Sequence, residues 1–215
     1  MREHSWNRSS LRRTYRCILS PIICRLAFVT VTSLGLFVLA REMGVGFYRV
    51  HGTSMTPTLR PGDYVLANKA AFGDGLLAFL RSGPAVPERG EVVVFALRHR
   101  NDPAGIKRVV GLPGDTLSMR GGRLCVNGRP LGEPYLDREN ATPGFSDRPE
   151  SWHFSYLLPG KQNHRYQPTG LDWGPLVVPR DAFFVLGDHR DASGDSRDFG
   201  FVRSDELVAR PFFNW

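Results

Sequence analysis

This 215-residue chain predicts a mainly β fold: an antiparallel β-rich body with a small loop-rich β insertion, preceded by one membrane-spanning helix. Three observations carry that expectation. From Tyr48 onward the apolar residues come in short runs bounded by Gly, Pro, Asn and Asp, which is strand spacing. Few stretches of that body have a helix-length apolar pattern, so a barrel or sandwich is the expected packing. Residues 17–40, by contrast, form an apolar stretch long enough to cross a hydrocarbon core of about 30 Å as a helix.

Residues 1–16 read as a basic tail. Five arginines, Arg2, Arg8, Arg12, Arg13 and Arg16, stand there beside a single acid, Glu3. The chain's net charge of +7 is concentrated at this end, because the residues after 41 hold 21 basic and 20 acidic side chains. A basic groove for phosphates is therefore not expected, and neither is a nucleic-acid partner. By the positive-inside rule the tail stays in the cytoplasm and the body crosses to the other side.

Residues 17–40 read as an uncleaved anchor in a lipid bilayer rather than a signal segment removed after Ala40. Arg25 interrupts the span, in its N-terminal third, where a long side chain can reach the headgroups. Residues 41–215 then form the extracytoplasmic body, and 41% hydrophobic content supplies an ordinary core. Cys125 is the body's lone cysteine, so no disulfide forms within it, and no cysteine pair has zinc-site spacing.

Strands are expected over 62–67, 91–97, 106–110, 123–126, 183–186 and 207–212, the fourth ending in an Asn127-Gly128 hairpin turn. Pro211 suits an edge or a strand end. Residues 70–87, with Phe72, Leu76, Leu77, Phe79 and Leu80, read as an apolar loop that packs on the core or dips into lipid. About 118–180 is the insertion, rich in Pro, Gly, Asn and Asp over 132–175.

Three segments can carry chemistry. Gly52-Thr-Ser-Met-Thr-Pro-Thr-Leu59 sets the Ser54 hydroxyl between an apolar side chain and a proline turn, which is either a nucleophile or a simple turn-holding loop. Ile106-Lys-Arg-Val-Val-Gly-Leu-Pro-Gly-Asp115 puts Lys107 at the start of an apolar strand. Facing out, it is a solvated charge; facing in, desolvation lowers its pKa and yields a neutral amine able to act as a base. Gly187–Gly200 gathers Asp188, Asp191, Asp195 and Asp198 with His189, Arg190, Ser193 and Arg197. Arg190 and Arg197 would repel a metal ion there. A Ser54–His189–Asp triad is writable, although Thr56 stands where a nucleophile elbow needs its second glycine. The third reading is an arginine–aspartate network that stiffens the loop.

In this order behind an N-terminal anchor, the segments resemble the type I signal peptidase family of membrane-bound serine proteases. The similar motifs are S-M-x-P-T-L at Ser54, R-G-E-V-V-V-F from Arg89, K-R-V-V-G-L-P-G-D at Lys107 and G-D-x-R-D-x-S-x-D-S-R from Gly187. The resemblance implies a bacterial cytoplasmic-membrane enzyme that removes signal peptides from exported preproteins, with no metal and no cofactor. It implies Ser54 as nucleophile and Lys107 as general base, Ser193 hydrogen-bonded to the lysine, and Asp195 and Arg197 in support. Tyr48, Val50, Met55, Leu59, Gly105 and Ile106 fall where the family builds shallow pockets for alanine-like side chains. Two positions depart: Gly52 replaces a hydroxyl residue that some members use toward the oxyanion, and His189 replaces a frequent asparagine. A dedicated maturase, a self-cleaving regulator and a non-enzymatic binding module are the alternatives.

Overall fold

The computed structural model describes residues 9–42, 44–73, 85–97, 105–136, 152–161 and 166–213. It divides into two compact units, 1–43 and 44–215.

The first unit is helix α1, Ser9–Glu42. Within it Pro21–Val38 is long and apolar enough to cross a membrane, with a mean hydropathy of 1.9. Thr30 and Thr32 return their hydroxyls to backbone carbonyls one turn back, so neither leaves an unsatisfied donor on the helix surface. Arg25 lies within the apolar window.

In the second unit every strand pairing among the described residues is antiparallel. Its strands are β1 (Val45–Arg49), β2 (Tyr64–Asn68), β3 (Val92–Phe95), β4 (Gly105–Gly111), β5 (Thr116–Arg120), β6 (Arg123–Val126), β7 (Arg129–Pro130), β8 (Trp173–Val177), β9 (Ala182–Leu186), β10 (Val202–Arg203) and β11 (Leu207–Pro211). Seven make one sheet in the order β1-β2-β11-β3-β4-β9-β10, and four make a second, β7-β6-β5-β8. The second sheet spans Thr116 to Val177, and Asn127, at φ 52°, with Gly128, at φ 78°, turns β6 into β7.

Strand β3 explains its own sequence. Val92 and Val94 belong to one apolar cluster with Val50, Met55, Leu59 and Val65, whereas Val93 and Phe95 belong to another with Val109, Phe183 and Val185. A strand buried on both faces has no polar side to alternate with, hence the unbroken V-V-V-F. A third cluster joins the sheets, with Leu117, Leu124, Trp173 and Leu176 packing on Phe184 and Leu186. Strands β1, β5 and β8 escape the sequence reading. Glycine lies within or beside β1, β5 carries Ser118 and Arg120, and β8 contains Gly174-Pro175. Of the apolar loop, Phe72 closes a 3-10 turn (Lys69–Phe72) and packs on the second cluster, while Leu76, Leu77, Phe79 and Leu80 lie outside the described residues.

Candidate active site

Lys107 is the third residue of β4, held opposite Val93 of β3. It is 8% exposed, so its ammonium has little water to replace the hydration of an unfolded lysine. Its Nζ lies 2.9 Å from Ser54 Oγ and 3.1 Å from the Ile106 carbonyl. Burial depresses its pKa below the ordinary lysine value; the carboxylates of Asp195 and then Asp188 pull the other way. Among the described residues no carboxylate lies within ion-pair distance of Lys107, so nothing of that kind offsets the burial of its charge.

Ser54 sits in a tight loop whose turns are closed by Thr56 N–H to the Thr53 carbonyl and Leu59 N–H to the Met55 carbonyl. Met55 and Leu59, 1% and 3% exposed, peg that loop into the core. The His189 N–H donates to the Ser54 carbonyl at 3.0 Å. Among the described residues the Ser54 N–H has no acceptor, which leaves it able to donate to an incoming oxygen. Gly187 lies directly behind: a Cβ there would collide with the Ser54 carbonyl and the Ser193 side chain.

The Gly187–Gly200 segment is an arginine–carboxylate network. Asp195, fully buried, caps the short helix Ser196–Phe199 by accepting the Arg197 N–H, receives the Gly187 N–H at 3.1 Å, and pairs with the Arg197 guanidinium at 2.8 Å. Ser193 Oγ is buried without a hydrogen-bond partner, and no bond joins it to Lys107. His189 meets Ser54 through its backbone, and its Nδ1 is buried without a partner. The Ser54 hydroxyl is bonded to Lys107, so the histidine-triad arrangement is not formed. Among the described residues no cluster of His, Cys, Asp and Glu could hold a metal ion.

The six expected pocket residues divide by depth. Tyr48, Gly105 and Ile106 are half-buried and reach the surface, with the Tyr48 and Ile106 side chains packed on the cluster that contains Val50, Met55 and Leu59. Met55 and Leu59 are closed off from solvent. Gly105 has a steric reason of its own, since a Cβ there would come within 2.8 Å of the Phe95 ring.

Sequence reasoning missed a second layer. Arg108, 2% exposed, donates through Nε and Nη2 to Asp188 at 2.9 and 2.6 Å, and through Nη1 to the Gly90 carbonyl at 2.7 Å. Thr58 donates to Asp188 at 2.5 Å. All three sit inside the motif segments, but only a fold could reveal that this ion pair and the Thr58 hydrogen bond tie the three segments together.

A β body that brings a serine hydroxyl against a buried lysine has the groups a serine peptidase needs, and the family match makes the chain one. The chain belongs to the signal peptidase family, peptidase S26, whose model matches residues 23–215. It is 33% identical over 164 residues to signal peptidase I of Leptolyngbya laminosa, covering 73% of this chain and 62% of that protein's length. It is 33% identical over 190 residues to signal peptidase I of Bacillus caldolyticus, covering 88% and 86%, and 30% identical over 197 residues to signal peptidase IB of Staphylococcus aureus (strain COL), covering 88% and 84%. A crystal structure of a signal peptidase I from Enterococcus faecalis V583 aligns with a TM-score of 0.40 at 30% identity, over 58% of this chain and 96% of that one.

Proposed function

We propose that the chain is a membrane-anchored endopeptidase that removes signal peptides from exported preproteins after A-x-A-like sites, with Ser54 as nucleophile and neutral Lys107 as general base. The observation that carries this reading is the 2.9 Å contact between Lys107 Nζ and Ser54 Oγ in a buried setting. As Ser54 Oγ attacks the scissile carbonyl, its proton passes to the Lys107 amine; the resulting ammonium then returns a proton to the leaving amine. The Ser54 N–H stabilises the oxyanion. Water, deprotonated in turn by Lys107, releases the acyl group.

Asp195 and Arg197 act through structure, holding Gly187 and the Ser193 turn against the back of Ser54. The buried, unpartnered Ser193 oxygen supports its proposed role as a hydrogen-bond partner of the lysine. Substrate lies against Tyr48, Gly105 and Ile106, with Val50, Met55 and Leu59 behind, so residues two apart meet one apolar wall. Residues 17–40 anchor the chain in the bacterial cytoplasmic membrane with the arginine-rich tail inside. Phe47 and Tyr64, 73% and 71% exposed on adjoining strands, suit a body that works beside lipid. The test is cleavage of a preprotein by the full chain in detergent, with Ser54→Ala and Lys107→Ala beside it.

A further inference from the structure

The segment after β7, Glu133-Pro134-Tyr135, leaves the second sheet and comes back over the active-site network. The Arg108 guanidinium carbon lies 4.1 Å from the centre of the Tyr135 ring. The Tyr135 hydroxyl donates to Glu133 at 3.0 Å, and Glu133, 5% exposed, is ion-paired with Arg190. Arg190 Nε donates to the Gly187 carbonyl at 3.0 Å, and its own carbonyl receives Arg197 Nη2 at 2.6 Å. Two routes thus run from Tyr135 to Ser54. One passes through Arg108 and Asp188 to the His189 N–H on the Ser54 carbonyl; the other passes through Glu133 and Arg190 to Gly187, which backs the same carbonyl.

We propose that Tyr135 is a positioning residue for the Ser54–Lys107 pair: its ring roofs the buried Arg108–Asp188 ion pair, and its hydroxyl, through Glu133, braces the loop behind Ser54.

A buried ion pair holds only where its hydrogen bonds are complete and water is kept out. Around Arg108 the in-plane donors go to Asp188, Gly90 and Thr58, and the flat face is covered by the aromatic ring, which a cation favours. The phenol's pKa is raised by burial and by Glu133, so it remains a donor. The consequence reaches Lys107 because Asp188 is one of the two carboxylates that act on it. From the loop after β9 it faces Asp188, held by Arg108 and Thr58, and Asp195, held by Arg197; from its own loop it faces the Ser54 hydroxyl, and β3 offers only Val93 opposite. Without the roof, water reaches this group, the burial that lowers the Lys107 pKa weakens, and Asp188 is less firmly held on its arginine.

This inference rests on Lys107 being the base, and the experiment separates the two. The full chain in detergent is assayed for kcat/KM against pH on one A-x-A peptide, as wild type, Tyr135→Phe and Tyr135→Ala. Tyr135→Phe, which keeps the ring, should retain the wild-type acid limb. Tyr135→Ala should move that limb to higher pH by at least about half a unit, a loss of roughly threefold at any pH below it, with KM within about twofold of wild type. If Tyr135→Ala does not fold, Tyr135→Leu, which lacks the aromatic face but fills more of the space, is read in its place with the same expectation. A folded variant with a lower Tm but the wild-type limb and kcat would make Tyr135 a purely structural residue and overturn the proposal. Lys107→Cys alkylated to an aminoethyl side chain, a less basic amine, supplies the control. If the limb fails to follow that amine, Lys107 is not the base and both readings fall; if it follows while Tyr135→Ala leaves the limb in place, the roof alone falls.

Discussion

The backbone N–H of His189 donates to the carbonyl of Ser54 at 3.0 Å, so this histidine touches the proposed nucleophile through its main chain while the Ser54 hydroxyl is bonded to Lys107. The protonation state that governs cleavage should accordingly be that of the lysine. Burial lowers the Lys107 pKa, and only the neutral amine can accept the serine proton, so activity is absent well below the depressed value and rises through it. His189→Ala should keep that acid limb, measured as kcat/KM against pH. Loss of the limb in this variant would return the base role to the histidine.

Gly187 should tolerate no side chain. A Cβ would overlap the Ser54 carbonyl and the Ser193 side chain at once, and both belong to braced backbone. Gly187→Ala is expected to cost on the order of 1–3 kcal/mol of stability and to depress kcat by more than tenfold, because the displaced group is the nucleophile's own loop. Thermal unfolding alongside single-turnover cleavage would measure both.

Breaking the buried pair should be more costly. Asp188→Asn leaves the Arg108 charge buried without its carboxylate, and such a loss typically destabilises by about 3–5 kcal/mol. Urea unfolding of the variant is the check, and a change under about 1 kcal/mol would mean that the pair is not sealed from water in solution.

His153 gives the second sheet a pH dependence of its own. It is 5% exposed, its Nδ1 meets the Tyr166 hydroxyl at 3.1 Å, and burial lowers its pKa to about 4. Between about 4 and the ordinary value near 6.5 the unfolded chain binds more protons than the folded one. The stability is therefore full above about 6.5 and declines as pH falls toward 4, by up to roughly 3 kcal/mol. His153→Asn, which cannot titrate, should flatten the Tm profile over that window.

Much of this was readable in the residues, for identifiable reasons. The β3 run and the β6–β7 turn announce themselves because burial on both faces and positive φ each demand particular residue types. Ser54 and Lys107 stood as a pair in the sequence only through the family resemblance of their two motifs, since 53 positions separate them. The Arg108–Asp188 pair and the Glu133–Arg190 pair were not legible, since an arginine or an acid in a polar loop looks solvated until the fold buries it. Depth was hidden too. Met55 and Leu59 have the chemistry of a pocket wall, and only the packing around them shows that both are closed off from solvent.

In the proposed reaction Ser54, activated by Lys107, cuts signal peptides after small side chains. The most direct measurement is cleavage of a preprotein by the full chain in detergent, with the new N-terminus read by mass spectrometry, for wild type and Ser54→Ala. A second preprotein carries leucine in place of the alanine before the cut. The wild type should cut after A-x-A, Ser54→Ala should not cut at all, and the leucine substrate should lose roughly ten- to two-hundred-fold in kcat/KM, the usual range for extra methylenes forced into a packed pocket. Wild-type turnover by Ser54→Ala would contradict the mechanism outright, and equal cleavage of the alanine and leucine preproteins would contradict the pocket.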